Sequence, residues 1–163
     1  MNRQFKFFSL YALTFLAVLS VAFAVPTPAS ADGAEQISGI AYFDAAGDCA
    51  DPEGAGSDFG VIMTGDLEGC LYIFVESATC TPSGVYLESG SEIFVGQGGT
   101  FRTTYRIEQK YQDCPNLTGQ IIGRCQHPII AGSGTGEFEG VTGRLDFKDD
   151  IEAGNFPYRG HLR

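Results

Sequence analysis

The chain has 163 residues, with 10 Lys+Arg against 20 Asp+Glu, a formal net charge of −10 and no tryptophan. So acidic a surface repels nucleic acid and anionic lipid headgroups, and no nucleic-acid partner is expected. The length suits one domain preceded by a leader.

Arg3 and Lys6 precede an almost wholly apolar run at 7–25, and "ASA" at 29–31 puts small residues where a signal peptidase reads. Residues 1–31 are therefore expected to be a signal peptide and 32–163 a single secreted or periplasmic domain, off the membrane after cleavage. An uncleaved anchor is the competing reading, because the apolar run approaches a spanning length. No cysteine stands near the cut, so lipidation is not expected. Losing Arg3 and Lys6 would leave the remainder more acidic still.

A short Pro/Ala/Ser-rich linker at 25–33 comes next, and no amphipathic helical pattern follows it. Short β-type runs punctuated by glycine recur instead. In chain order, strands are predicted at 37–43, 59–64, 69–76, 84–88, 92–95, 101–110, 120–131, 136–138, 144–148 and 158–162. Turn chemistry separates them at "TGDLEG" (64–69), "ESGSE" (88–92) and "GQGG" (96–99). Residues 101–110 show period two, with Phe101, Thr103, Tyr105 and Ile107 on one face and charged residues on the other. Residues 69–76 are more continuously apolar, as a strand covered on both faces would be. Many short, closely spaced strands predict an antiparallel sandwich or barrel, and a barrel has no exposed edges.

The acidic loop at 44–58 is too long for a hairpin turn. Its Asp44, Asp48, Asp51, Glu53 and Asp58 have calcium-type oxygens, but the spacing does not match an EF-hand. The favoured reading is a solvated loop tethered by its cysteine, with no metal and no cofactor.

Five cysteines, Cys49, Cys70, Cys80, Cys114 and Cys125, lie beyond the leader. In an exported chain they oxidise, giving at most two disulfides and one remaining thiol. No Cys-x-x-Cys occurs and only two histidines exist, so zinc is poorly supported. Pairing is not set by sequence. The preferred assignment is Cys49–Cys80, both in predicted loops, and Cys70–Cys125, both in predicted strands, leaving Cys114.

The stretch "GSGTGEFEGVTGRLDFKDD" (132–150) poses the question of a phosphate cradle. A dinucleotide fingerprint from Gly134 needs glycine at 139, where Glu139 stands, and the following "RLDFKDD" alternates as a strand does. A carboxylate in a phosphate cradle is repulsive. The glycines are therefore read as structural, allowing positive φ and close backbone approach.

This stretch, together with the closing "YRGHL", resembles the C-terminal hairpins of the allene oxide cyclase-like barrels, a group that includes the dirigent proteins and bacterial relatives. The resemblance covers 132–162 and the earlier hairpins only loosely. It implies an eight-stranded, calycin-like antiparallel barrel with a central cavity. Enzymes of the family cyclise a fatty-acid epoxide or steer phenolic coupling, but their catalytic residues do not map one by one onto this chain.

No Gly-x-Ser-x-Gly elbow exists to support a hydrolase. His127, beside Pro128 in a strand, is read as structural, and His161 as outward and solvated. Asp149 and Asp150 could form an acid–base pair, but neighbours on a strand face opposite ways, and the favoured reading is a polar turn opening "DDIEAGNFP". Aromatic residues carry more weight. Tyr72, Phe74, Phe101, Tyr105, Phe147 and Tyr158 are candidate ligand contacts, lining a cup or filling a core together with Phe138. The expected function is non-catalytic: binding a small apolar ligand or acting as a structural module. An isomerase or cyclase of the allene oxide cyclase type, or an oligomeric interaction barrel, are the alternatives. A polar residue deep in the cavity would favour the enzyme.

Overall fold

The computed structural model describes residues 33–49 and 56–163. The expected leader, with Asp51 and Glu53 of the acidic loop, lies outside the described residues. Eight strands follow in order: β1 (Glu35–Phe43), β2 (Phe59–Gly65), β3 (Gly69–Cys80), β4 (Val85–Gly96), β5 (Gly99–Asp113), β6 (Thr118–Pro128), β7 (Gly143–Lys148) and β8 (Phe156–Leu162). Each pairs antiparallel with the next, and β8 pairs with β1 to close the barrel. This is the expected fold class, and closure leaves no strand edge open to another chain.

Side-chain alternation builds the wall. On β5, Phe101, Thr103 and Tyr105 are buried while Arg102, Thr104 and Arg106 are exposed. On β6, Gly123, Cys125 and His127 are buried and Arg124, Gln126 and Pro128 exposed. Inward residues such as Phe94, Phe101, Met63 and Leu145 are essentially inaccessible, and each buried side chain of this size stabilises the fold by roughly 1.5–3 kcal/mol.

Two predicted elements change. The turn expected at 88–92 is the middle of one continuous strand, with Glu88 opposite Ile107, Gly90 opposite Tyr105 and Glu92 opposite Thr103. Gly90 serves close approach rather than a turn, since a Cβ there would strike the Phe74 carbonyl and the Tyr105 ring. The strand expected at 136–138 is a single 3-10 turn, Gly136–Phe138. Gly136 adopts φ 62°, and a Cβ would run into the Gly98 carbonyl. Glu137 N donates to Gly98 O at 2.8 Å, laying this segment across the β4–β5 hairpin. Phe138 then plugs one barrel end, its ring centroid 5.7 Å from Phe94 and 5.2 Å from Phe101.

The glycine stretch is thus structural, as expected, with Gly132, Gly136, Gly140 and Gly143 all at positive φ. Tyr158 completes this end of the barrel. Its hydroxyl donates to Thr64 O at 3.0 Å and accepts the Leu67 N–H at 3.0 Å, fixing the β2–β3 turn.

The cysteines form two disulfides and leave one buried thiol, but the partners differ from those expected. The bonds are Cys49–Cys70 and Cys80–Cys114, and Cys125 is free. Cys125 alternates inward with exposed Arg124 and Gln126, whereas Cys70 precedes inward-facing Leu71 and so lies on the outer face. Sulfurs on opposite faces of a strand wall cannot meet. The loop carrying Cys49 instead folds back over β2, with its Sγ 3.8 Å from Val61 O. No helix among the described residues is long and apolar enough to cross a membrane.

Candidate functional site: an aromatic funnel above a buried carboxylate–histidine pair

The barrel end opposite the Phe138 plug opens inward. A chamber of about 80 Å³ lies between Val61, Leu71, Ile73, Tyr105, Cys125 and Phe147, with Glu92 and His127 in its wall. Above it a mouth of about 420 Å³ shares Phe43, Phe59, Ile107, Gln109, Asp149 and Phe156 with the chamber. Phe43 meets Phe59 and Phe156 edge-on at 5.7 and 4.9 Å and is 59% exposed, so an aromatic collar rims the opening.

Glu92, Thr103 and His127 are the buried polar side chains among the described residues, at 2%, 0% and 5% exposure. They come from consecutive strands β4, β5 and β6, all on the inward register. Thr103 Oγ1 donates to Glu92 Oε2 at 2.5 Å, and His127 Nδ1 meets the same oxygen at 2.6 Å. The imidazole lies between Tyr105 (6.0 Å, near-parallel) and Phe147 (4.3 Å). A neutral imidazole that gives its Nδ1–H to a carboxylate keeps Nε2 as an acceptor. That atom is buried and has no partner. Leaving such a group unsatisfied costs about 1–3 kcal/mol.

A second polar layer rims the mouth. Glu88 accepts the hydroxyls of Tyr86 at 2.5 Å and Tyr105 at 2.9 Å. Asp149 accepts amide N–H groups from Gln109, at 2.9 Å, and from Gln120. Burial, then the Glu88 hydrogen bond and charge, push the Tyr105 hydroxyl far above its ordinary range. Burial and the Glu92 charge do the same to the Cys125 thiol. Both stay protonated at any physiological pH, so Cys125 is an inert wall residue and not a nucleophile.

Of the six aromatic candidates, Tyr105 and Phe147 line the chamber. Phe101 belongs to the plugged end and Tyr158 to the β2–β3 clasp. Tyr72 and Phe74 alternate with chamber-lining Leu71 and Ile73, so they lie on the outer face. His127, read from sequence as structural, stands in the chamber wall. His161 is half-buried. Asp150 holds its turn, accepting the Ala153 N–H at 3.1 Å, whereas Asp149 turns its carboxylate to the mouth. Sequence reasoning missed Glu92, Glu88 and Gln109, and placed Thr103 on the face it shares with Phe101 and Tyr105 without giving it a role. The signal was present in "ESGSEIF": read as one strand, Gly90, Glu92 and Phe94 alternate inward and place a carboxylate inside the barrel.

In the acidic loop, Asp44 accepts the backbone N–H groups of Ala46, Gly47, Asp48 and Cys49, and Asp58 accepts that of Val75. These two carboxylates shape the loop. No group of three or more His, Cys, Asp or Glu arranged for a metal occurs among the described residues.

Fold and site together define a closed up-and-down β-barrel with an internal, mostly apolar chamber. No family model, curated protein or solved structure matches this chain.

Proposed function

We propose that the barrel binds a small, largely apolar molecule in the funnel and that the Glu92–His127 pair takes a polar group at its inner end. The observation that carries this is the unpartnered Nε2 of a buried, carboxylate-anchored histidine in the wall of an aromatic chamber. Such a site holds an apolar body by burial and orients it through a few convergent polar atoms. The neutral probe N-phenylnaphthylamine tests it: its fluorescence should rise on entering the funnel. Ile107→Trp, at the junction of mouth and chamber, should abolish the rise while the protein melts cooperatively. No fluorescence rise with the parent protein sinks the reading.

The same pair favours a second reading, an isomerase or cyclase in the manner of the allene oxide cyclase-like barrels. A carboxylate-anchored imidazole in an apolar chamber can take a proton and return it at another atom. Two disulfides fit an oxidising compartment. With the leader pattern at 1–31, this supports export to the periplasm or medium, with the exported chain starting at Asp32.

A further inference from the structure

The titratable side chains of the mouth are carboxylates and phenols, while in the chamber Glu92 faces His127. Glu92 lines the chamber, Asp149 lines chamber and mouth, and Glu88 lines the mouth. No Lys or Arg lines either space among the described residues. Lys110, the cation beside Gln109, is occupied with the Ser83 carbonyl. Neither Glu88 nor Asp149 has a cationic partner among the described residues: their hydrogen-bond donors are neutral hydroxyls and amides. Carboxylates beside low-dielectric aromatic walls attract a cation and repel an anion much more strongly than they would in water. The collar and the Tyr86–Tyr111 pair add aromatic surface, which also favours a cation. Deeper in, the buried and unpartnered His127 Nε2 asks for a donor.

Resting on the ligand-chamber reading above, we infer that the molecule taken is an organic cation with two polar ends. An ammonium group sits at the mouth with Asp149 and Glu88. A compact apolar or aromatic body fills the space beneath, and an O–H or N–H at its inner end donates to His127 Nε2. A carboxylate of the fatty-acid type is the class the site rejects.

Three probes with one body test this: tyramine, tyrosol and para-hydroxyphenylpropionate are cation, neutral and anion near neutral pH, and all carry a phenol. Calorimetric titration of the disulfide-bonded protein should rank them in that order. Tyramine should bind roughly 10-fold tighter than tyrosol and roughly 100-fold tighter than the anion. Added salt should narrow the spread. Asp149→Asn should weaken tyramine more than tyrosol and bring the two affinities close together. Glu88→Gln gives the same test should Asp149→Asn fail to fold. Equal affinities, or a preference for the anion, overturn the cation inference and leave the ligand chamber standing. If none of the three binds while N-phenylnaphthylamine does, the inference falls alone. If that probe also fails, the chamber reading falls with it.

Discussion

Glu92 is the residue on which most depends. It sits at 2% exposure and accepts from both Thr103 and His127. Removing one member of a buried pair leaves the other's polar atoms without a partner. Glu92→Ala should therefore lower unfolding free energy by about 3–5 kcal/mol. Glu92→Gln keeps an acceptor oxygen for the same donors and should cost about 1–3 kcal/mol. Urea denaturation separates the two. Equal and negligible losses would show that the pair contributes nothing to the fold.

Among the elements, the 3-10 turn at Gly136–Phe138 and strand β4 show how one residue type serves two ends. Gly136 is needed for its φ of 62°, Gly90 for the space it leaves beneath the Phe74 carbonyl. Valine disfavours positive φ and has no room beside Gly98, so Gly136→Val should destabilise by about 1–3 kcal/mol in thermal unfolding. Asp150→Asn keeps the acceptor for Ala153 N–H and should change stability by less than about 0.5 kcal/mol. Loss of phosphate or nucleotide binding with unchanged melting in Gly136→Val would refute the structural role. The Cys80–Cys114 bond closes a separation of 34 residues between the end of β3 and the β5–β6 turn. The paired serine variant should lose about 3–4 kcal/mol by chain-entropy reasoning, readable as a lower urea midpoint.

For the whole molecule, thiol accounting and pH response follow from which groups the barrel encloses. Alkylation of the folded protein should label no cysteine, and alkylation after unfolding without reductant should label Cys125 alone, as counted by mass spectrometry. Label on any of the other four would contradict the pairing. Burial holds Tyr86, Tyr105 and Cys125 protonated in the fold, with Glu88 reinforcing the tyrosines and Glu92 the thiol. In the unfolded chain tyrosine and cysteine ionise near their ordinary values of 10.0 and 9.0. Folding is thus favoured in full below the unfolded values, and this contribution is lost as pH rises past them. The melting temperature should be insensitive to these groups up to about pH 9 and fall beyond it. A melting temperature that climbs above that pH would overturn the assignment.

Alternation and glycine punctuation by themselves determined the all-β class, most strand positions and the structural use of the 132–143 glycines, because period two and positive φ are local properties. The odd thiol was also legible, since five cysteines cannot all pair within one chain. What tertiary structure alone decided was whatever depends on the face of the wall a side chain occupies. Cys70 and Cys125 lie in strands of like appearance, yet one is outside and the other inside, so they do not pair. Tyr72 and Phe74 look as suited to a cavity as Tyr105 and Phe147, but the register of β3 turns them outward. Glu92, Thr103 and His127 are up to 35 positions apart in sequence. Only closure of β4, β5 and β6 side by side gathers them at one carboxylate oxygen, because hydrogen-bond register between strands, and not the order of residues within any one of them, sets who faces whom across a barrel.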